Sequence, residues 1–168
     1  MEVREITELD LGDYVLLRRA SEKEYPQYVG ANVEAELAAG KSGIEDLFST
    51  YPSLGHNLLG IFDNGTLAGI TSLTRKASDK YRHKAFLWGM YIYPKYRKQG
   101  ASSQLMERSI EWAKLQNGLE AITLFVTSTN IKGINFYKRY GFECYGTERR
   151  HMFAAGAFHD AHLYELVL

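Results

Sequence analysis

Residues 88–102 constrain the fold more than any other stretch of this chain of 168 residues. An aromatic run leads through Pro94 into a turn that holds Arg97, Lys98 and Gly100, and an amphipathic stretch follows at once. This pattern predicts a strand, a basic glycine-containing turn and a helix in direct succession. The first N–H groups of a helix lack partners and its dipole is positive there, so this turn is suited to bind phosphate groups.

The same segment resembles the acetyl-CoA-binding motif of the GCN5-related N-acetyltransferase (GNAT) superfamily, Gln/Arg-x-x-Gly-x-Gly/Ala. Arg97 stands in the first place and Gly100 in the fourth, while Ser102 replaces the usual Gly or Ala. Serine is small enough to leave the backbone accessible. A basic turn before a helix is also common where it only ends one element and begins the next. The motif therefore needs a second observation to support it.

A second motif begins at residue 121. Residues 121–126 form an apolar run typical of a strand covered on both faces, and residues 131–140 are predicted to be a helix that ends at Gly141. Asn130 and Tyr137 are seven residues apart and therefore share one face of that helix. In the GNAT family an Asn at this place contacts the pantetheine arm, and a Tyr seven residues later is the usual general acid. Without the resemblance, Asn130 is an N-cap and Tyr137 a half-buried aromatic.

Together the two motifs imply an acetyl-CoA site in which Tyr137 is the catalytic acid that protonates the leaving thiolate. The cofactor-binding residues implied by the resemblance are Met90, Tyr91, Ile92, Arg97, Lys98, Gln99, Gly100, Ala101, Ser102, Ser103, Asn130 and Tyr137. The backbone groups of residues 90–92 would be free to bind the cofactor and the acetyl oxygen, because two neighbouring strands of the family splay apart there. Acetyl-CoA is the expected co-substrate, and no metal ion is expected.

The order of the predicted elements along the chain is β, α, α, β, β, β, α, β, α, β, β. The predicted strands are residues 2–7, 57–62, 67–73, 85–93, 121–126, 143–152 and 158–167, and the predicted helices are residues 10–25, 28–39, 98–116 and 131–140, with a further helical piece around Ile44, Leu47 and Phe48. This order is that of the GNAT fold. The resemblance therefore implies an α/β fold (an α+β mixed sheet): about seven twisted strands with helices on both faces, a V-shaped splay between strands 4 and 5, and one domain over residues 1–168.

Charge and composition exclude several classes of function. Lys plus Arg and Asp plus Glu number 20 each, so the formal net charge is zero and no global field recruits nucleic acid or an anionic membrane. The sequence contains no run of about 18 apolar residues, and its charged start does not fit a signal peptide. We expect a cytoplasmic protein, in keeping with its single cysteine. Edge strands could pair two copies, so a homodimer stays open.

Competing motifs fit less well. Residues 40–42 (Gly-Lys-Ser) end like a P-loop, but Ala35 stands where that motif needs glycine. His159 and His162 are three apart in a predicted strand, so they point to opposite faces and do not easily chelate one metal ion. Cys144 is predicted to be a small core residue rather than a nucleophile.

Acetyl transfer to an amine also needs a proton acceptor, because a primary amine is mostly protonated at pH 7. The resemblance implies direct attack of the amine in a ternary complex. Some relatives use a Glu on the strand before the Asn, but Phe125 stands at that position here. His83, Glu24 and a water chain stay open as the base.

The predicted function is transfer of the acetyl group of acetyl-CoA to the primary amine of a small molecule, such as an amino acid or a polyamine. The acceptor would lie against aromatic residues that could equally be core, namely Tyr25, Tyr28, Tyr51, Phe153, Phe158 and Tyr164. Two alternatives stay open: a protein N-terminal or lysine acetyltransferase, and a non-catalytic acetyl-CoA-binding sensor. The expected partner is a small-molecule amine, without nucleic acid or membrane.

Overall fold

A mixed β-sheet forms the frame of the molecule. The computed structural model describes residues 1–30, 33–38, 56–76 and 78–168. Within these ranges the strands are β1 (Glu2–Glu5), β2 (His56–Asp63), β3 (Thr66–Arg75), β4 (Lys84–Ile92), β5 (Ala121–Thr127), β6 (Glu143–Ala154) and β7 (Ala157–Val167), and the helices are α1 (Leu11–Glu24), α2 (Val33–Ala38), α3 (Ala101–Leu115) and α4 (Ile131–Arg139). The strand order is β1-β2-β3-β4-β5-β7-β6. Only β4 and β5 pair in parallel among these strands.

Helices cover both faces of the sheet. Along β2, Leu58 packs into a buried cluster with Leu17 of α1, whereas its neighbour Leu59 packs on the other face with Leu105 of α3. Side chains alternate between the faces of a strand, and each buried aliphatic side chain contributes roughly 1.5–3 kcal/mol relative to exposure. The predicted mixed sheet with helices on both faces is confirmed.

The two parallel strands diverge soon after they meet. Ladder pairing between β4 and β5 is limited to residues 84–86 with residues 121–123. On its other edge β4 carries an irregularity opposite Ile70–Ser72 of β3, and there Gly89 adopts a positive φ of 72°. A bulge with a glycine in this conformation bends a strand and increases its twist. The carboxyl ends of β4 and β5 are thereby held apart, which confirms the predicted splay between strands 4 and 5.

The helix predicted over residues 28–39 was wrong at its start. Residues 26–28 form a turn in which the N–H groups of Tyr28 and Val29 both donate to the carbonyl of Tyr25. Pro26 lacks an N–H group, so the hydrogen-bond ladder of α1 cannot run through it. The described part of the second helix is Val33–Ala38. The helical piece expected around residues 44–48 lies outside the described residues.

Cys144 is exposed, so its assignment to the core was wrong. It pairs with Tyr164 of β7, which is 2% exposed and marks the limit of the core on that side. Cys144 lies one strand further out, on the edge strand β6. An edge strand has a neighbour on one side only, and a small side chain there reaches no covering element.

None of the described helices is long and apolar enough to cross a membrane.

Candidate active site

A cleft of about 1410 Å³ opens where β4 and β5 diverge. Ligand pockets commonly measure roughly 300–1,000 Å³, so this cleft is large enough for an extended cofactor together with a second substrate. The predicted site residues that line it are Met90, Tyr91, Ile92, Arg97, Lys98, Ser102, Asn130 and Tyr137. Four further predicted residues, Gln99, Gly100, Ala101 and Ser103, lie in the adjoining turn and are not among its lining residues. The two sequence motifs therefore meet at one cleft.

The turn of residues 97–103, here called the phosphate turn, presents unpaired backbone donors. Gly100 precedes α3 with a φ of 81°, and Lys98 also has a positive φ of 61°. The N–H groups of residues 101–103 have no acceptor in the part of the chain that the structure describes. Free N–H groups at the start of a 15-residue helix form an anion-binding site.

Arg97 is engaged within the protein. Its guanidinium donates to both carboxylate oxygens of Glu24 at 2.6 Å, and its Nε donates to the carbonyl of Ile92 at 2.9 Å. The hydroxyls of Tyr25 and Tyr91 complete the cluster, the latter donating to Glu24 at 2.7 Å. These hydrogen bonds, the one from Arg97 above all, lower the pKa of Glu24 to about 2, so Glu24 is ionised at neutral pH.

This cluster changes two expectations. Glu24 neutralises the charge of Arg97, which leaves Lys98 as the unneutralised cation that the sequence predicts in the phosphate turn. The Ile92 carbonyl, expected to be free for the cofactor, accepts from Arg97 instead. The sequence did not reveal this arrangement, because 73 positions separate Arg97 from Glu24.

Asn130 and Tyr137 lie two helical turns apart on α4, and both line the cleft. Asn130 is an N-cap: its Oδ1 accepts from the N–H group of Gly133 at 3.0 Å. The Tyr137 ring packs edge-on against Phe136 and Phe142, at 5.5 and 5.8 Å between ring centroids. Burial raises the pKa of Tyr137 to about 12, so its hydroxyl keeps its proton at neutral pH and can donate it.

The residues considered as a base are poorly suited to that role. A carboxylate with a pKa of about 2, as in Glu24, takes up a proton poorly at pH 7. His83 precedes β4 at the closed end of the splay, where its carbonyl accepts from the N–H groups of Glu120 and Ala121. It is not among the described residues that line the cleft.

The aromatic wall of the cleft differs in part from the predicted one. Tyr25 and Tyr28 line the cleft and stack at 5.7 Å. Phe153 and Phe158 instead pack against each other beside the β6–β7 turn and do not line the cleft, so their placement there was wrong. Tyr164 is buried in the core, which is the alternative that the sequence left open. Tyr51 lies outside the described residues. The aromatic lining residues that the predicted wall did not include are Phe86, Trp88, Phe125 and Phe136.

An alternation in β4 could have identified two of these missed residues. Phe86 and Trp88 are two positions apart and therefore share a face, whereas Leu87 between them is buried on the other side. The indole N–H of Trp88 donates to the hydroxyl of Thr74 at 2.7 Å, which fixes the ring at the cleft wall. The Phe125 ring lies 5.2 Å from that of Phe86, across the gap between the strands.

The charged side chains that line the cleft in the described part of the chain are all cationic. Its charged lining residues in the described ranges are Arg18, Lys76, Arg97, Lys98, Lys132 and Arg139, and no Asp or Glu is among them. Glu24, which is not among these lining residues, neutralises the charge of Arg97. Within the described lining, Lys76, Lys98, Lys132 and Arg139 contribute positive charge, which favours anionic groups on whatever binds there.

Comparison with known proteins links this geometry to a family. Residues 16–142 match the acetyltransferase (GNAT) family. The L-amino acid N-acetyltransferase AaaT of Escherichia coli (strain K12) is 31% identical over 75 residues, which is 45% of this chain and 46% of that protein. The match thus spans about half the length of this relative.

Solved structures resemble the whole chain. An acetyltransferase of the GNAT family from Streptococcus pneumoniae has a TM-score of 0.82 at 26% identity, with 99% of each chain covered. The structure of yncA from Salmonella typhimurium, solved with its cofactor acetyl-CoA, has a TM-score of 0.81 at 18% identity and covers 100% of this chain and 94% of its own. The fold that the sequence resemblance implied is confirmed.

Proposed function

Because this chain belongs to the acetyltransferase (GNAT) family, and hence to the acyltransferases, we propose that it transfers the acetyl group of acetyl-CoA to the primary amine of a small molecule. The observation that carries this proposal is the splay of β4 and β5. One cleft there is lined by the phosphate turn, the unpaired edge of β4 and the protonated side chain of Tyr137.

Acetyl-CoA fits this cleft group by group. Its pyrophosphate binds the free N–H groups at the start of α3, with Lys98 beside them. The pantetheine arm, which carries amide donors and acceptors, extends along the part of β4 that β5 leaves unpaired, toward Asn130. A strand edge without a neighbour offers the backbone N–H and C=O groups that such amides need.

The chemical steps then follow from the position of the proton donor, Tyr137. The neutral amine attacks the thioester carbonyl carbon, a backbone N–H group near Met90 stabilises the developing oxyanion, and the carbon–sulfur bond breaks. The Tyr137 hydroxyl gives its proton to the leaving sulfur. A phenol whose pKa is raised to about 12 enters this step protonated at any physiological pH.

The acceptor is proposed to be an amino acid or a similar amine that carries an acidic group. The cationic lining of the cleft attracts a carboxylate and repels a polycation. Trp88, Phe86 and Tyr28 supply apolar surface for a side chain. The name of the Escherichia coli relative, an L-amino acid N-acetyltransferase, points in the same direction.

The test combines calorimetric titration with acetyl-CoA and thiol release against amino acids, polyamines and short peptides. We expect binding, turnover with amino acids, and little turnover with polyamines. Turnover with peptides alone would transfer the assignment to a protein acetyltransferase, and binding without any turnover would indicate a sensor.

Tyr137→Phe tests the catalytic acid. We expect kcat to fall about 100-fold while the Kd for acetyl-CoA is unchanged, because the variant lacks only the donated proton. Tyr140→Phe is the matched control, since its hydroxyl contacts Glu107 at 3.4 Å and Tyr140 does not line the cleft. A Tyr137→Phe protein as fast as the Tyr140→Phe protein would refute the role of Tyr137.

A further inference from the structure

The proposed reaction lacks a proton acceptor among the described residues that line the cleft. Their titratable groups are cations and tyrosines, with no carboxylate and no imidazole. Glu24 is held ionised by Arg97 and Tyr91. A base among the described residues would therefore act on the acceptor amine from just behind this lining.

His151 of β6 lies directly behind a lining residue. Its ring is 4.3 Å from the ring of Phe125, between centroids, and Phe125 is itself in contact with Phe86 on the opposite strand. The imidazole is partly exposed, at 21% of its side-chain surface. Its Nδ1 lies 2.9 Å from Oε2 of Glu148. A carboxylate at Nδ1 places the proton on that nitrogen, so Nε2 carries the free lone pair.

An interruption of the sheet turns His151 to this position. After a first register shift between Cys144 and Gly146, the β6–β7 ladder continues to Glu148 and resumes at Met152, with residues 149–151 outside the pairing. Within that bulge Arg150 has a positive φ of 54°, and its N–H group donates to Asp160 at 2.8 Å. Bulges re-aim side chains and are frequent beside active sites.

The level of Phe125 along the cleft matches the reacting centre. Continuing the β4–β5 register beyond its last pair, Phe86 with Thr123, sets Phe125 beside Trp88. The β4 bulge at Gly89 and Met90 follows immediately, where the acetyl oxygen is proposed to bind. Leu124 and Val126 belong to the buried cluster beneath the sheet, so Phe125 and the ring that contacts it lie on the opposite face.

We propose that His151, oriented by Glu148, accepts the proton of the acceptor ammonium, directly or through one water molecule. This inference rests on the proposed function. Nε2 takes one ammonium proton, the freed lone pair of nitrogen forms the C–N bond, and the C–S bond breaks. Tyr137 protonates the thiolate, and the second amine proton returns to Tyr137 as the amide forms. The products are the N-acetylated amine, CoA thiol and one proton on His151, later lost to solvent.

Few charged groups of the described residues lie close to His151. On its own strand Glu148 is bonded to the ring and Arg150 lies over the Phe158 ring, at 3.8 Å from its centroid. From β7, Asp160 is occupied by the N–H group of Arg150. From β5 the residue in contact is the uncharged Phe125. Among the described residues, Glu148 is thus the charged group bonded to the imidazole.

The experiment measures kcat/KM for an amino-acid acceptor between pH 6 and pH 9 in wild type, His151→Gln and Glu148→Gln. In His151→Gln we expect a roughly 100-fold loss at pH 7. This loss becomes smaller as the pH rises, because a larger fraction of the acceptor amine is then already deprotonated and needs no base. Glu148→Gln should lose less, because the imidazole remains and only the carboxylate that orients it is lost. The Kd for acetyl-CoA should stay within about twofold in both variants.

His162→Gln is the matched control. His162 belongs to the same hairpin, and its ring is hydrogen-bonded to Thr147 at 2.9 Å, but it pairs with Val126 and so lies on the other face of the sheet. Its kinetics should match wild type. If wild type is active and His151→Gln has the same rate and the same pH dependence of kcat/KM, the inference is overturned while the proposed function stands. Equal losses of activity in His151→Gln and His162→Gln would have the same consequence. A wild type that acetylates no amine would overturn the proposed function as well.

Discussion

Replacing Glu24 should reveal how strongly the phosphate turn is tied to α1. The pKa of Glu24 falls from its ordinary value to about 2 in the folded protein, and one pH unit of such a shift corresponds to about 1.4 kcal/mol. The shift therefore has an upper limit of about 3 kcal/mol of unfolding free energy. Because the side chains of Arg97 and Glu24 are 32% and 30% exposed, solvent screening reduces our expectation to about 1–2 kcal/mol.

A double-mutant cycle measures this coupling. Glu24→Gln, Arg97→Gln and the double variant are unfolded in urea, which leaves charge interactions unscreened, at pH 7 and again at pH 3.5. A carboxylate with a lowered pKa stabilises the fold fully above the pKa of the unfolded chain, and this contribution is lost as the pH falls toward its folded value. The coupling energy should therefore be about 1–2 kcal/mol at pH 7 and smaller at pH 3.5.

The pair Arg108 and Glu111 of α3 is the matched control. These side chains lie 3.1 Å apart but are 62% and 61% exposed, and exposed pairs of this kind contribute about 0.5 kcal/mol or less. A coupling between Glu24 and Arg97 no larger than this control, or one that grows toward pH 3.5, would refute the electrostatic reasoning.

Two glycine substitutions separate stability from cofactor binding. Gly100→Val forces a β-branched residue into a φ of 81° and covers the phosphate turn, so we expect at least a tenfold weaker Kd for acetyl-CoA by calorimetry; Gly65→Val, at the same φ of 81° in the β2–β3 turn, should lose stability but keep its affinity. Gly133→Ala places a Cβ 2.8 Å from Nδ2 of Asn130 and displaces the cap. Loss of the cap, about 1 kcal/mol, and the better helix propensity of alanine nearly cancel in urea unfolding, while a weaker Kd for acetyl-CoA would report the role of Asn130; an unchanged Kd would show that its side chain does not contact the cofactor.

Features set by neighbouring residues were predictable from the sequence. The phosphate turn depends on Gly100 and the helix that follows, and the capping by Asn130 depends on Gly133 three positions later. The tight turn between β2 and β3 depends on Asn64 and Gly65, which both have a positive φ. Each of these follows from local backbone chemistry, so a short window of sequence contains the necessary information.

Features that join distant segments were not predictable in this way. Arg97 looked like a phosphate ligand because its partner lies 73 positions earlier, at the end of another helix. The contact of His151 with Phe125 depends on a bulge in the β6–β7 ladder, and hydrophobic periodicity contains no signal for a bulge. Cys144 was misplaced for a related reason: the strand pattern does not show which strand lies at the edge of the sheet.

The Glu24–Arg97 cluster also explains how donor and acceptor sites can act together. Arg97 belongs to the phosphate turn and holds the end of β4 through the Ile92 carbonyl, whereas Glu24 and Tyr25 end the helix that bounds the acceptor side. A displacement of α1 is therefore transmitted to the end of β4, where acetyl-CoA is proposed to bind, through bonds of 2.6–3.1 Å. If Arg97 served only to add positive charge to the phosphate turn, it would not be paired with Glu24. The observed pairing instead uses Arg97 to fix the relative positions of the two sides of the cleft, and we therefore propose that phosphate is bound by the backbone N–H groups and Lys98.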